Sequence, residues 1–252
     1  MKYIWLTIFA LYLLSSVRAA EDDFKIPVGE YLEFQMGWNF VKVGKATLLR
    51  NPDTKVGDLP SMHFSMTART FGIADKLYKV RDNVDSYTDL KLHNTLLYKK
   101  RQIEGKTNRD IKVTFDWEKK VAQYYDFGKP KNDPIQLKDG ILDPLSILYA
   151  TRNHKMKIGE MIKIPATDGK KMINVEVGVV KREKIKVPAG KYWAYKLAPG
   201  TKDLRGVFEK SPDSKIELWV SEEEPHYPLK MKSKVIVGSF KGELVKIRKS
   251  AD

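Results

Sequence analysis

Beyond its N-terminus this sequence carries a single helix signal, and it lies between two long series of strand-like segments. The stretch is Asp143-Pro144-Leu145-Ser146-Ile147-Leu148-Tyr149-Ala150-Thr151-Arg152. Asp143 suits an N-cap, because its carboxylate can accept the orphan backbone N–H groups of a first turn. Pro144 then occupies the first helical position, where its missing N–H costs nothing. Leu145, Leu148, Tyr149 and Arg152 follow at i, i+3, i+4 and i+7, so an apolar stripe would face a sheet. With one short helix and no β–α alternation, the chain is predicted to be all-β. The expected architecture is a single antiparallel sheet rolled into an open or closed barrel-like domain around one short central helix. A two-sheet β-sandwich is the alternative.

The strands are read from a period of two. Gly29 to Phe40 alternates Leu32, Phe34, Met36, Trp38 and Phe40 with polar or small residues, and Val41 to Leu49 follows, with Gly44 marking a bulge or close approach. Asn51 to Pro60 holds two prolines, two Asp and a Gly and reads as a loop. Further strands are expected at Ser61 to Arg69, Leu77 to Tyr87, Leu92 to Ile103, Ile111 to Trp117 and Val121 to Phe127. Gly128 to Gly140 reads as a long loop that delivers the chain to the helix. Beyond it lie Met161 to Ala166, Met172 to Val180, Glu183 to Val187, Lys191 to Leu197 and a short segment at Gly206 to Glu209. Ile216 to Ser221, Leu229 to Val237 and Phe240 to Ile247 complete the series.

Residues 1–19 read as a cleaved secretory signal: a basic start at Lys2, an apolar run from Tyr3 to Leu14, and Val17 and Ala19 at the −3 and −1 positions. That run falls short of the roughly 20 apolar residues a spanning helix needs. The expected mature protein, residues 20–252, is one β-rich domain, exported to the periplasm and not membrane-spanning after processing. The sequence has no cysteine, which removes both a lipoprotein anchor and disulfides, so stability must come from packing. The net charge is +14, two units of it from Lys2 and Arg18 of the leader. In an exported protein such a charge points away from nucleic acid and towards a lipid or anionic envelope component, or an envelope protein partner. The lysines are spread through nearly every strand, as solvated outer faces would require.

Catalytic signatures are missing. His63, His93, His154 and His226 have no second His or Cys at ligand spacing. Ser239, in Val237-Gly238-Ser239-Phe240-Lys241-Gly242, lacks the spacing of a nucleophile elbow. No glycine-rich strand-to-helix loop is present for a phosphate or dinucleotide. Neither a metal, a cofactor nor an enzymatic activity is therefore expected, with a hydrolase the least favoured alternative. Trp38, Trp117, Trp193 and Trp219, with many Tyr, Phe and Met residues, either line an apolar cavity or fill a core.

Several motifs together resemble a family of exported bacterial proteins known as domain of unknown function 3108. They are Gly29-Glu30 with Leu32 and Phe34, Val43-Gly44 with Ala46, and Asp143-Pro144-Leu145-Ser146 with Leu148-Tyr149, Arg152 and Gly159. Val187-Pro188-Ala189-Gly190 with Ala194 and Lys196, then Leu218-Trp219-Val220-Ser221, Pro228 and Gly238 complete the pattern. The resemblance runs from about Gly29 to Ile247, and its specific parts are the helix segment and the Trp219 strand. It implies a periplasmic all-β domain similar to the open barrels that carry lipids or lipoproteins, with no assigned activity. The family pattern carries an Asp or Asn soon after the Trp-x-Ser step, where this sequence has Glu222-Glu223-Glu224. Asp143, Ser146, Tyr149, Arg152 and Trp219 form the candidate cluster. It would either bind an anionic group at the mouth of the barrel or tie the helix into the fold.

Overall fold

The computed structural model describes residues 25–200, 216–234 and 239–249. The expected signal, the segment Gly206 to Glu209 and the end of the Leu229 to Val237 strand lie outside them. Along the chain run β1 (Tyr31–Trp38), β2 (Val41–Val56), β3 (Leu59–Thr70), α1 (Gly72–Leu77), β4 (Arg81–Thr88), β5 (Thr95–Glu104), β6 (Thr107–Asp116) and β7 (Val121–Asp126). Next come β8 (Lys129–Pro130), β9 (Ile135–Gln136), α2 (Ser146–Asn153), β10 (Met161–Thr167), β11 (Met172–Val187) and β12 (Gly190–Pro199). The last three are β13 (Ile216–Ser221), β14 (Pro228–Lys234) and β15 (Ser239–Arg248).

All fifteen strands belong to one antiparallel sheet, in the order β10-β11-β12-β13-β14-β15-β1-β2-β3-β4-β5-β6-β7-β8, with β9 also on β7. The fold is thus the single rolled sheet and not a sandwich. It curls without closing. The free edge of β10 meets the segment before α2 through a bridge between Leu142 and Ala166, with Leu142 N–H donating to Pro165 O at 3.1 Å and Thr167 N–H to Leu142 O at 2.9 Å. At the opposite margin Asn132 Nδ2 donates to Gly169 O at 3.2 Å, and Lys170 Nζ lies 4.5 Å from the Tyr124 ring centre. Edges covered in this way do not recruit a foreign strand.

Inside the curl, α2 separates two apolar clusters. Leu145 and Tyr149 enter the larger, with Leu32, Phe64, Val113 and Leu244. Ile147 packs on the smaller, built from Ile162, Ile164, Val175, Val177, Val179, Leu197 and Val220. Ala150 touches both clusters, so the helix is held from two sides. Leu148, expected to be buried, is only half-buried, because its side of the helix meets the rim of the larger cluster.

Several sequence expectations need correction. A second helix, α1, stands where the strand Leu77 to Tyr87 was expected to begin; six residues with no buried side chain leave no core-facing stripe to read. The residues from Asn51 to Pro60 mostly extend β2 and β3. A register shift between Asn51 and Thr54 takes Pro52 and Asp53 out of the ladder, and the turn falls at Gly57-Asp58, with Gly57 at φ +60°. Met172 to Val187 is one strand; Val180 is the unpaired residue of a bulge between Val179 and Lys181, which breaks the alternation. Two short strands, β8 and β9, occupy part of the expected loop Gly128 to Gly140. Gly44 behaves as its position predicts: a Cβ there would lie 2.5 Å from the Arg69 carbonyl oxygen, so β2 and β3 approach closely only with glycine.

Candidate functional site

Asp143 does more than cap a helix. Its Oδ1 accepts Leu145 N–H at 2.8 Å and Ser146 N–H at 3.1 Å, while Oδ2 accepts the hydroxyls of Ser86 at 2.5 Å, Thr95 at 2.8 Å and Ser146 at 2.8 Å. The regular helix starts at Ser146, not at Pro144, because these bonds hold the preceding residues in a turn. Five donors thus satisfy both oxygens of this side chain in a dry interior. Asp143 also ties α2 to β4 and β5.

Near the far end of α2, Arg152 is completely internal. Its Nη2 donates to Glu30 Oε2 at 2.8 Å, and its Nε donates to the carbonyls of His226 at 3.2 Å and Pro225 at 3.3 Å. Its guanidinium lies 5.4 Å from the Tyr149 ring centre and 5.8 Å from that of Tyr227. Tyr149 stacks on Phe64 with ring centres 4.0 Å apart, and burial pushes its hydroxyl far above the usual tyrosine range. Trp219 lies in the same large apolar cluster as Tyr149 but has its own polar partners. Its Nε1 donates to Glu183 Oε1 at 2.8 Å, and Lys196 Nζ sits 5.2 Å from its ring centre. The bond from Trp219, and then that from Lys181, holds the Glu183 carboxyl below its ordinary range.

The acidic loop is also committed internally. Glu222 forms a bidentate pair with Arg182, at 2.7 Å to Nε and 2.7 Å to Nη2, and Glu224 accepts Lys25 Nζ at 2.5 Å. Glu223 serves through its carbonyl, which accepts Ser221 Oγ at 2.8 Å and His226 N–H at 3.0 Å. No group of three or more metal-ligating side chains is assembled among the described residues.

A different kind of surface forms at the end of the curl that carries the β1–β2 turn, α1 and the β5–β6 turn. One face of β1 runs from Leu32, fully buried, through Phe34 and Met36 to Trp38, which is 42% exposed. Beyond it Phe40 is fully exposed and Val41 is 64% exposed. A polar strip lies on β4 and β5, separated from this column by β2 and β3. Asp82 stands opposite Ala68 and Lys100 opposite Val84, and Lys100 Nζ is 3.7 Å from Asp82 Oδ2. Burial, and then the hydrogen bond and charge of Glu104, push the Asp82 carboxyl up to about 7.

A profile of the family described as "Protein of unknown function (DUF3108)" matches residues 33–245. The chain belongs to this family. No curated protein matches the sequence. Among solved structures, this DUF3108 member is similar to a β-barrel-like protein of domain of unknown function DUF1849 from Brucella abortus. The TM-score is 0.56 at 10% identity, covering 90% of this chain and 100% of that one. A protein from Parabacteroides distasonis, provisionally described as a lipoprotein, gives a TM-score of 0.35 at 8% identity over 88% of this chain and 97% of that one. One from Bacteroides fragilis, provisionally described as exported and with a YmcC-like fold, gives 0.35 at 9% over 90% and 100%. Only the first likeness is close enough to bear on the fold, which it shows to be barrel-like.

Of the five candidate residues of this DUF3108 chain, the structure brings Asp143 and Ser146 into one network and Tyr149 and Arg152 into a second, while Trp219 shares the apolar cluster of Tyr149 and hydrogen-bonds separately to Glu183. Glu30 stood in the family pattern with no role attached; its role as the partner of Arg152 depends on a contact 122 residues away. Ser86 and Asp82 carried a quieter signal: polar residues at the buried positions of β4.

Proposed function

We propose that this protein is a non-catalytic, exported protein of the bacterial periplasm that binds a lipid or another hydrophobic envelope component at the open end of its rolled sheet. The observation that carries this is the apolar column of β1, which passes without a break from the core at Leu32 to solvent at Trp38. Large apolar side chains left in water at a mouth mark a binding surface. Asp82, Lys100 and Glu104, on β4 and β5 two strands beyond β1's neighbour at the same end, would give an amphiphile polar partners for its headgroup while its chain lies along Phe34, Met36 and Trp38. Asp143, and Arg152 through its Nε and Nη2, serve to hold α2 in the fold. Native mass spectrometry of the protein purified from envelope extracts tests the proposal. An adduct in the mass range of a phospholipid or lipopolysaccharide precursor is expected. Bare polypeptide from gentle extraction, with no adduct after incubation with envelope lipids, would overturn it.

A further inference from the structure

Helix α1 exposes the residues that a helix normally buries. Ile73 and Leu77 stand at i and i+4, on one face, and are 77% and 80% exposed; no residue of α1 is buried. The helix is kept in place by polar contacts instead. Asp75 accepts Arg81 Nη1 at 2.6 Å and Nη2 at 2.8 Å, and Thr70 Oγ1 at 2.6 Å. Phe71 N–H donates to Val43 O at 3.1 Å, which sets α1 beside the start of β2 and hence beside the protruding Phe40-Val41 turn. Phe40, Val41, Phe71, Ile73 and Leu77 therefore project from one end of the molecule, on a turn and a helix and not from the walls of a groove.

The charge around these side chains has one sign. Lys42, Lys76 and Lys106 are exposed and carry no carboxylate partner among the described residues. Asp75, the acid within α1, is neutralised by Arg81. Asp82 and Glu104 are turned to the inner face, where they hydrogen-bond to each other. Protruding apolar side chains ringed by unpaired lysines match the interface of an anionic bilayer, where the apolar groups enter the acyl boundary and the ammonium groups meet lipid phosphates. We infer that the protein docks end-on, through α1 and the β1–β2 turn, onto the surface of a membrane rich in anionic phospholipid. The docked pose aims the mouth next to Trp38 at the leaflet, and to that extent the inference rests on the amphiphile-binding reading above.

Flotation with vesicles of phosphatidylglycerol and phosphatidylcholine, and with vesicles of phosphatidylcholine alone, tests it on the mature protein. Binding is expected to the mixed vesicles only, weakening as salt rises. Ile73→Ser with Leu77→Ser should lower partitioning by about tenfold or more while leaving the far-UV spectrum and Tm unchanged, since neither side chain is buried. Lys42→Gln with Lys76→Gln should weaken binding several-fold and flatten its salt dependence. No flotation, or flotation unchanged by both pairs of substitutions, would overturn the docking surface. So would a concentration-dependent dimer that the Ile73/Leu77 pair disrupts with vesicles left unbound, because the rim would then cover a second copy. A lipid adduct by mass spectrometry without flotation defeats the docking alone. Flotation without an adduct defeats the carried-lipid reading alone.

Discussion

Arg152 and Glu30 form an ion pair from which water is excluded on all sides, with side-chain exposures of 0% and 1%. Removing one partner of such a pair strands the other, at about 3–5 kcal/mol. Arg152→Met should therefore lower unfolding stability by that amount, and adding Glu30→Gln should recover a large part of it. A double-mutant cycle by urea denaturation reads the coupling; additive losses would mean that the two side chains do not stabilise each other. Asp82 contributes with the opposite sign. Its folded carboxyl titrates at about 7, above the ordinary value of about 4 for an unfolded chain, so between those values the native state holds the extra proton. Stability should fall as pH rises from about 4 to about 7 through this group. Asp82→Asn should remove that part of the slope, which pH-dependent chemical denaturation would show. A slope unchanged in the variant would place the titration elsewhere. None of these partners was legible in the sequence, because β-sheet register brings together residues far apart in the chain, as Asp82 and Glu104 are. Periodicity showed that β4 has an inner face, but not which polar residues on it would meet.

Within the central helix the sequence was more informative. Asp143, Leu145 and Tyr149 were marked by spacing and capping preference, and all three are buried. The capping argument understated Asp143, since the three hydroxyls it receives come partly from strands that local spacing does not reach. Asp143→Ala leaves donors from Ser86, Thr95 and Ser146 without an acceptor in a dry site, so the expected cost is about 3 kcal/mol or more. Leu145→Ala should cost about 2–5 kcal/mol, and Leu148→Ala less, because Leu148 is half-buried. Measured unfolding free energies that rank Leu148→Ala above the other two would contradict this placement of the helix. Helix α1 escaped sequence reading for the same physical reason that it matters: its apolar residues face out, and a pattern search looks for residues that face a core.

At the scale of the whole molecule, alternation was enough to identify an all-β antiparallel domain, because strands buried on one face need a period of two, but the strand order was needed to separate the rolled sheet from a sandwich. Pro52 and Val180 disguised two long strands by falling on bulges. What alternation leaves unread is where the rolled sheet opens. The structure brings the apolar column of β1 from Leu32 to Trp38 out to water beside the β1–β2 turn, the end at which we propose the ligand enters. Trp38 is therefore the reporter of the proposed ligand. The most direct test is to titrate a protein of residues 20–252 with a phospholipid brominated on its acyl chain and follow tryptophan fluorescence in the wild type and in Trp38→Phe. Saturable quenching that Trp38→Phe largely abolishes, with the buried Trp219 little affected, is the expected result. Absent quenching, or quenching that persists undiminished in Trp38→Phe, would contradict an amphiphile site at the open end.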